Sequence, residues 1–238
     1  MDLQDFFSKI KAPGFIIKYF NQDDWYLMVG KLKKLLKTEI KKSAVHSDNS
    51  TLKISGKVRI GNNCRIGDYV VIEGPVYIGD NVEIGPGVFI RPGTIISDEC
   101  VIGHAAEIKN SLMMAGSKAS NHCFVGDSII GANARIGGHC ELANRKFDQQ
   151  DILINYKNEK LPTKLDKFGL ILGEAARLGG GVITAPGTTI GKGTFVSTGL
   201  FVSGYLPPKK FVKIRQDYLI TENNFAGTLH NKSKLFEN

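Results

Sequence analysis

Ten isoleucines recur every six residues through the first half of the chain. They are Ile54, Ile60, Ile66, Ile72, Ile78, Ile84, Ile90, Ile96, Ile102 and Ile108. A period of six fits neither an α-helix, with about 3.6 residues per turn, nor a lone strand, with about 2. It predicts an all-β solenoid, a parallel β-helix of hexapeptide repeats. In such a fold three short strands make each coil of about eighteen residues, and one aliphatic side chain per strand points inward.

The residue two places before each isoleucine is small or β-branched in most repeats. Cys64, Cys100 and Cys140 fall in this column of the solenoid repeat, which favours buried thiols over disulfides or zinc ligands. Cys123 stands beside His122, so we also consider it as a possible nucleophile.

Residues 1–43 have a different texture and predict an N-terminal helical segment. A short helix is expected from Asp2 to Ile10, and Pro13-Gly14 would break it. A second helix would start at Asn21 or Asp23. Its apolar face holds Trp25, Met28, Leu32, Leu35, Leu36 and Ile40. Its other face is rich in lysine, so we expect it to cover the open end of the solenoid, and a helix on a membrane surface is the alternative.

The repeat predicts a β-helix over residues 44–206 with two interruptions. Met114 and Ile130 are sixteen residues apart, which is not a multiple of six, and the polar stretch 115–127 between them is a candidate functional site. The second interruption, an inserted loop at 143–168, contains an alternating stretch that predicts a hairpin. The ladder then resumes in register at Leu172. Pro207-Pro208 should end the solenoid, and 207–238 form a basic tail.

Composition narrows the class of partner. The net charge is +8, yet the lysines are not interleaved with aromatic residues and no nucleic-acid motif is present, so phosphorylated small molecules are preferred to nucleic acid. No apolar run approaches the length of a membrane span and the first residues lack a signal-peptide pattern. These features predict a cytoplasmic protein without a membrane partner.

Several motifs carry a family resemblance: Gly74–Gly79, Ile90–Gly93, Glu107–Ser111, Phe124–Asp127, Leu142–Asn144 and Lys167–Gly169. In order and spacing they resemble the C-terminal domain of sugar-1-phosphate nucleotidyltransferases, above all the bifunctional enzymes that also acetylate glucosamine-1-phosphate. The resemblance covers roughly residues 50 to 216. It implies a left-handed β-helix, a homotrimer and acetyl-CoA-dependent N-acetylation at subunit interfaces. The nucleotidyltransferase half is not expected, because no Gly-rich loop follows a strand near the start.

The resemblance also implies roles for five residues. Arg91 and Lys109 match the basic pair that holds the sugar phosphate, and Asn144 matches an asparagine that contacts the sugar. A guanidinium fork and a point charge together suit a dianionic phosphate. Lys213 and Arg215 lie where the family meets the phosphates of acetyl-CoA.

The catalytic motif departs from the family. Its histidine, the general base, is replaced by Asn121, its tyrosine by Phe124, and its lysine by Gln150. An amide cannot accept a proton near neutral pH. We therefore expect the base to be His122, one place along, or His104, which should lie about one coil away, roughly 5 Å.

Three functions remain open from the sequence. The first is an acetyl-CoA-dependent N-acetyltransferase acting on a phosphorylated or nucleotide-linked amino sugar. The second is a non-catalytic trimer that binds a sugar phosphate and organises or regulates a separate nucleotidyltransferase. The third is a zinc site at His104, His122 and His139, which stand on successive coils. The resemblance argues against the third, so no metal is predicted.

Overall fold

The computed structural model describes residues 1–40 and 50–222, and the main body of this part of the chain is a left-handed parallel β-helix, as predicted. Three parallel sheets of eight strands form its sides among these residues. Ile54 pairs with Ile72 and Ile60 with Ile78 on the next coil. The predicted coil of about eighteen residues is therefore confirmed in the first coils.

The strands are two or three residues long because a corner follows each inward side chain. Sheet A contains Lys53–Ser55, Val71–Glu73, Phe89–Ile90, Glu107–Lys109, Phe124–Gly126, Glu141–Leu142, Ile183–Thr184 and Phe201–Val202. Sheet B contains Val58–Ile60, Val76–Ile78, Thr94–Ile96, Leu112–Met113, Ile129–Ile130, Leu170–Leu172, Thr188–Ile190 and Tyr205–Leu206. Sheet C contains Arg65–Ile66, Glu83–Ile84, Val101–Ile102, Lys118–Ala119, Arg135–Ile136, Arg177–Leu178, Phe195–Val196 and Phe211–Val212.

The slip in the ladder lies elsewhere than predicted. Met113, not Met114, is the inward residue, since it pairs with Ile96 and packs in the solenoid core. From Ile108 to Met113, and again from Val125 to Ile130, the ladder advances five residues instead of six. Both short steps are corners between sheets A and B. The prediction failed because residues 112–114 are all apolar, so spacing alone could not show which one faces inward.

The N-terminal segment is less helical than predicted. It consists of the 3-10 helices Leu3–Asp5, Lys18–Asn21 and Trp25–Lys31 and the α-helices Gly14–Ile17 and Leu32–Glu39. It covers the outer face of sheet B instead of the open end of the solenoid. Phe6, Trp25 and Leu32 pack in one cluster with the outward residues Ile95 and Leu112. Its position follows from sheet B, whose outer face is aliphatic on consecutive coils and needs a cover.

The inserted loop at 143–168 contains the predicted hairpin. Leu153–Tyr156 pairs antiparallel with Glu159–Pro162. The buried side of this hairpin joins the cluster beneath the N-terminal segment. The solenoid then resumes in register, because Leu172 pairs with Ile130.

The last coil extends past the predicted end at residue 206. Phe211–Val212 pairs with Phe195–Val196 in sheet C. Pro207 lies in the corner before this strand, where its carbonyl accepts a hydrogen bond from the Thr194 hydroxyl at 2.6 Å. Proline cannot donate to a ladder, but a corner makes no such demand, so the prolines do not end the solenoid.

Candidate functional site

Two corners of the solenoid collect most of the predicted site residues. We call the first the ion-pair corner; it joins sheets A and B and holds Arg91, Lys109, Asp127 and Asn144. The Arg91 guanidinium donates to Glu107 Oε1 at 2.7 Å, and Lys109 Nζ lies 2.9 Å from Asp127 Oδ2. The structure thus places Arg91, Lys109 and Asn144 at one corner, and Lys109 and Asn144 both contact Asp127.

Asp127 is the centre of this corner. It is buried, and its carboxylate accepts hydrogen bonds from Lys109 Nζ, Asn110 Nδ2 and Asn144 Nδ2, the last two at 2.7 and 2.6 Å. Asn110 Nδ2 also donates to the Val29 carbonyl of the N-terminal segment at 3.2 Å. A buried carboxylate with three donors is a rigid support, so the corner is held in one arrangement.

Each cation of the ion-pair corner therefore already has a carboxylate partner. Lys109 is the less accessible, with 19% of its side chain exposed against 38% for Arg91. A guanidinium has five N–H donors and an ammonium has three, so both keep donors for a ligand. The carbonyl oxygen of Asn144 is also left over, because its amide nitrogen is the atom that binds Asp127.

The second region is the histidine corner, which joins sheets C and A and holds His104, His122 and His139. The ring centroids of His104 and His122 are 5.0 Å apart, as expected from the sequence, and those of His122 and His139 are 4.9 Å apart with the rings stacked. All three side chains are exposed. The three imidazoles form a column along the solenoid axis.

His122 and His139 occupy a strained backbone position. Both have φ near 56°, in the left-handed region, and the equivalent residues of other coils are Tyr69, Gly87, Ala105 and Gly181. A non-glycine residue in this region costs of order 1 kcal/mol. Because Tyr69 and Ala105 share this conformation, it belongs to the corner of the coil and is not specific to the histidines.

His104 differs from its neighbours because its ring is oriented by the backbone. Its Nδ1 lies 2.9 Å from the carbonyl oxygen of Pro86, so Nδ1 carries the proton of the neutral ring and donates it to that oxygen. This tautomer leaves Nε2 as a free acceptor. A carbonyl on one nitrogen and a lone pair on the other is the arrangement that a general base needs.

Asn121 serves the corner as a cap. Its side-chain oxygen accepts a hydrogen bond from the backbone N–H of His104 at 3.0 Å. Asp80 and Asp98 do the same for Asn62 and Asp80 at another corner. The side chain at the family's base position thus stabilises the turn that carries His104.

A groove of about 710 Å³ borders the histidine corner on the sheet C side. His122 and His139 line it together with Lys118 and Arg135. Arg177 follows Arg135 on the next strand, so three exposed cations stand in register on consecutive strands. None of the three forms an ion pair with a carboxylate in residues 1–40 and 50–222.

Comparison with known proteins gives the family. The model of the GMPPB C-terminal domain matches residues 72–213, which is more than half of the chain and includes both corners. The chain belongs to the GMPPB C-terminal domain family. The motifs that suggested sugar-1-phosphate nucleotidyltransferases fall largely within the matched residues, so the resemblance is confirmed at the level of the domain.

Relatives of this GMPPB C-terminal domain protein fall into two groups. The uncharacterized acetyltransferase YaiX of Escherichia coli O6:K15:H31 is 36% identical over 197 residues, which are 82% of this chain and 85% of YaiX. The bifunctional protein GlmU of Methanococcus aeolicus is 32% identical over 119 residues, 50% of this chain but 29% of GlmU. The bifunctional sugar-1-phosphate nucleotidylyltransferase/acetyltransferase of Sulfurisphaera tokodaii is 32% identical over 113 residues, 48% of this chain and 28% of that protein. This chain therefore spans under a third of the bifunctional relatives.

The two corners of this GMPPB C-terminal domain protein do not meet within one chain. The strand Glu107–Lys109 of sheet A crosses from one corner to the other, with His104 before its start and Lys109 at its end. Its outward neighbours across the sheet are Phe124 and Glu141, which pair in register. A ligand that touches both corners must lie across sheet A.

The predicted cofactor residues lie at the far end of sheet C. Lys213 Nζ sits 4.7 Å from the centre of the Phe211 ring, and both Lys213 and Arg215 are exposed. The Phe211 strand is three strands beyond Arg135, a distance of roughly 14 Å at the usual strand spacing. Three basic residues on neighbouring strands of sheet C, Lys118, Arg135 and Arg177, were missed from the sequence, and Arg177 lies between Arg135 and the Phe211 strand. The sequence feature that could have revealed them is a basic residue directly before the core-facing residue of each of these sheet C strands.

Two alternatives raised by the sequence find no support in the geometry. Cys123 points into the core, where its contact with the Cys140 thiol and its burial raise the pKa of the Cys123 thiol. It is therefore not placed to act as a nucleophile. In residues 1–40 and 50–222 no group of three His, Cys, Asp or Glu side chains is arranged to hold a metal ion. Within the same residues no helix is long and apolar enough to cross a membrane.

Proposed function

We propose that this protein transfers an acetyl group from acetyl-CoA to the amine of a phosphorylated or nucleotide-linked amino sugar. The observation that carries the proposal is the orientation of His104, whose Nδ1 donates to the Pro86 carbonyl and whose Nε2 is left as an acceptor. The names of the YaiX and Sulfurisphaera tokodaii relatives, both acetyltransferases, support the reaction class.

Both substrates of this reaction are anionic, and the histidine corner lies between two basic surfaces. On one side the column Lys118, Arg135 and Arg177 leads along sheet C toward Lys213 and Arg215, which suits the phosphates of an extended acetyl-CoA. On the other side Arg91 and Lys109 would hold the phosphate of the sugar, and the Asn144 carbonyl oxygen would accept from a sugar hydroxyl.

The chemistry needs no covalent enzyme intermediate. The sugar amine attacks the thioester carbonyl carbon, and His104 Nε2 takes the amine proton. The C–S bond then breaks, and the leaving thiolate of coenzyme A takes that proton from His104, which restores the neutral base. His122, whose ring contacts that of His104, is the alternative base and would take the same amine proton in place of His104. Asn121 has no part in proton transfer on this account, because its oxygen is already bound to the His104 amide.

We also propose that the protein is a homotrimer. Phe147, Ile183 and Phe201 are exposed around an apolar groove of about 570 Å³ at the lower end of sheet A. Exposed apolar patches of this kind mark interaction sites, and a second copy of the chain would cover this one. An assembly would also give the open face of sheet A a second wall.

The test measures thiol release from acetyl-CoA with glucosamine-1-phosphate and then with a panel of amino-sugar phosphates and nucleotide-linked amino sugars. We expect release that depends on one acceptor and falls at least about a hundredfold in His104→Ala, the usual contribution of a positioned general base. The matched control is His139→Gly, which places at this corner the residue found at Gly181 and should change turnover less than about fivefold. No release with any acceptor, or equal effects of the two variants, would contradict the proposal.

A second candidate is favoured by the substitution of the family's catalytic residues. Asn121 and Phe124 stand at positions where the resembled enzymes have histidine and tyrosine, and Asn121 has become a structural cap. The protein would then be a non-catalytic trimer that binds a sugar phosphate and organises or regulates a separate nucleotidyltransferase. Sugar-phosphate binding that Arg91→Ala weakens, without thiol release from any acceptor, is the outcome that would select it.

A further inference from the structure

A separate cavity lies on the other side of the solenoid, where the N-terminal segment crosses the corner between sheets B and C. Its volume is about 380 Å³, within the range of small-ligand sites. Its walls include Lys9, Lys11, Tyr77, Ser97 and Asp98. The proposed acetyl transfer gives none of these residues a role, and the hydrogen bonds of the coils do not use the side chains of Lys9, Lys11 and Ser97.

The backbone fixes the two lysines at the mouth of this cavity. Before them, the Ser8 N–H donates to Glu174 Oε2 at 2.7 Å, and at Lys11 the carbonyl accepts from the Ala115 N–H at 2.9 Å. Neither Lys9 nor Lys11 forms an ion pair in the part of the chain that the structure describes. The backbone of this segment is therefore held, and it carries two exposed cations that line the cavity opposite the single carboxylate of Asp98.

Ser97 supplies the second, independent observation. Its side chain is 3% exposed and its hydroxyl has no hydrogen-bond partner among the described residues. The equivalent positions of the preceding coils are Gly61 and Gly79, so the corner does not require a hydroxyl there. A buried polar group without a partner is destabilising, and a ligand acceptor would remove that penalty.

The backbone N–H of the next residue, Asp98, also lacks the side-chain acceptor that its equivalents on the preceding coils have. On the two preceding coils the N–H of Asn62 donates to Asp80, and the N–H of Asp80 donates to Asp98. The next residue in this column is Ala115, which has no side-chain acceptor to offer the N–H of Asp98. Arg59 adds positive charge nearby, since its guanidinium lies 4.6 Å from the centre of the Tyr77 ring.

We propose that this cavity binds the phosphate group of a small phosphorylated metabolite. Lys9 and Lys11 would make charge-assisted hydrogen bonds to the phosphate oxygens, and the Ser97 hydroxyl would donate to a third. The Asp98 carboxylate, held by the Asp80 N–H, would remain as an acceptor for a hydroxyl of the same ligand. The site is distinct from the ion-pair corner, which lies between sheets A and B.

The experiment is calorimetric titration with inorganic phosphate and with glucose-6-phosphate at fixed ionic strength. It uses the full chain carrying Arg91→Ala and Arg135→Ala, which weaken phosphate binding at the ion-pair corner and in the groove beside the histidine corner. We expect Lys9→Ala/Lys11→Ala to weaken phosphate binding at least about tenfold, the loss expected for two charge-assisted hydrogen bonds. Ser97→Gly, which restores the residue of the neighbouring coils, should weaken it by about fivefold while leaving the fold intact.

The matched control is Lys33→Ala/Lys34→Ala, the same charge change on the exposed side of the helix Leu32–Glu39. It should change the affinity less than about twofold. Three results would overturn the proposal: no phosphate binding at about 10 mM, binding unchanged in the Lys9/Lys11 variant, or equal weakening in both double variants. The last would show general charge attraction in place of a site.

Discussion

The outer faces of sheets A and B are built by the same coils and end in opposite surroundings. On sheet B the outward Ile95, Leu112 and Ile129 are completely buried under the N-terminal segment. On sheet A, one strand earlier in each of these coils, the outward residues are only partly covered by the rest of the chain. They are Phe89, Glu107 and Phe124.

This difference shows that the inward-facing and outward-facing residues of each strand have separate roles. The inward column makes a coil, and it is alike on all sides of the solenoid. The outward column determines whether a face of the solenoid is covered by the chain or stays open. An aliphatic outward column is covered by the chain itself, whereas a mixed column of aromatic and charged residues stays open to a ligand or a second subunit.

The largest expected effect tests the cover of sheet B. Leu112→Ala would leave a cavity between sheet B and the N-terminal segment, and should lower the free energy of unfolding by about 2 to 5 kcal/mol. Val71→Ala is the control on sheet A, where the outward side chain is only half-buried and lies outside the apolar groove, and it should cost less than about 1 kcal/mol. Urea denaturation measures both. Equal losses would mean that the two faces are not different in energy.

The same comparison shows what the sequence could reveal. The isoleucine ladder predicts the coils because a fixed spacing follows directly from a fixed geometry. The cover of sheet B was also encoded, in doublets such as Ile95-Ile96 and Ile129-Ile130, where both faces of a strand are apolar. The six-residue period picks out only the inward isoleucine of each pair and overlooks the outward one, such as Ile95 or Ile129. The segment was therefore expected at the open end.

At the site, the sequence predicts neighbours but not orientations. The proximity of His104 and His122 was predicted from a separation of about one coil, and the structure gives 5.0 Å between their ring centroids. The bond from His104 Nδ1 to the Pro86 carbonyl depends on a side-chain rotamer, which spacing does not determine. For this reason the sequence left His104 and His122 equal as candidate bases, and the preference for His104 in our proposal rests on this hydrogen bond.

A medium effect is expected for the carboxylate that ties the cover to the last coil. Asp5 Oδ2 accepts hydrogen bonds from Tyr156 at 2.6 Å and Tyr205 at 2.9 Å, and it lies 3.2 Å from Lys157 Nζ. Partial burial alone would raise the pKa of Asp5, but the two tyrosine hydroxyls and Lys157 together hold that pKa below its usual value. Asp5→Asn should therefore lower the free energy of unfolding at pH 7 by about 1.5 to 3 kcal/mol.

The pH dependence of this change has a definite sign. Because the pKa of Asp5 is depressed in the folded state, its contribution is complete above the unfolded pKa of about 4 and is lost as the pH falls through the folded value. The gap between the wild type and Asp5→Asn in urea denaturation should narrow below about pH 4. Asp151→Asn, on the inserted loop, removes the same charge and should show no such narrowing. A gap that stays constant with pH would exclude the ionic role of Asp5.

The smallest expected effect is on the open face and has the opposite sign. Burial, and then the charge of Glu107, raise the pKa of Glu141, so its charged form is disfavoured in the folded protein. A carboxyl with a raised folded pKa stabilises the fold below its unfolded pKa, and that contribution is lost as the pH rises through the folded value. Glu141→Gln should therefore increase the free energy of unfolding at pH 7, by less than about 1 kcal/mol because the group is largely screened by water. The gain should disappear below about pH 4, and Glu107→Gln should bring the pKa of Glu141, followed by NMR titration, back toward its ordinary value. A destabilised Glu141→Gln protein at pH 7 would mean that Glu141 has a stabilising partner on sheet A. The open face of sheet A would then not carry the unfavourable charge interaction that distinguishes it from the covered, apolar face of sheet B.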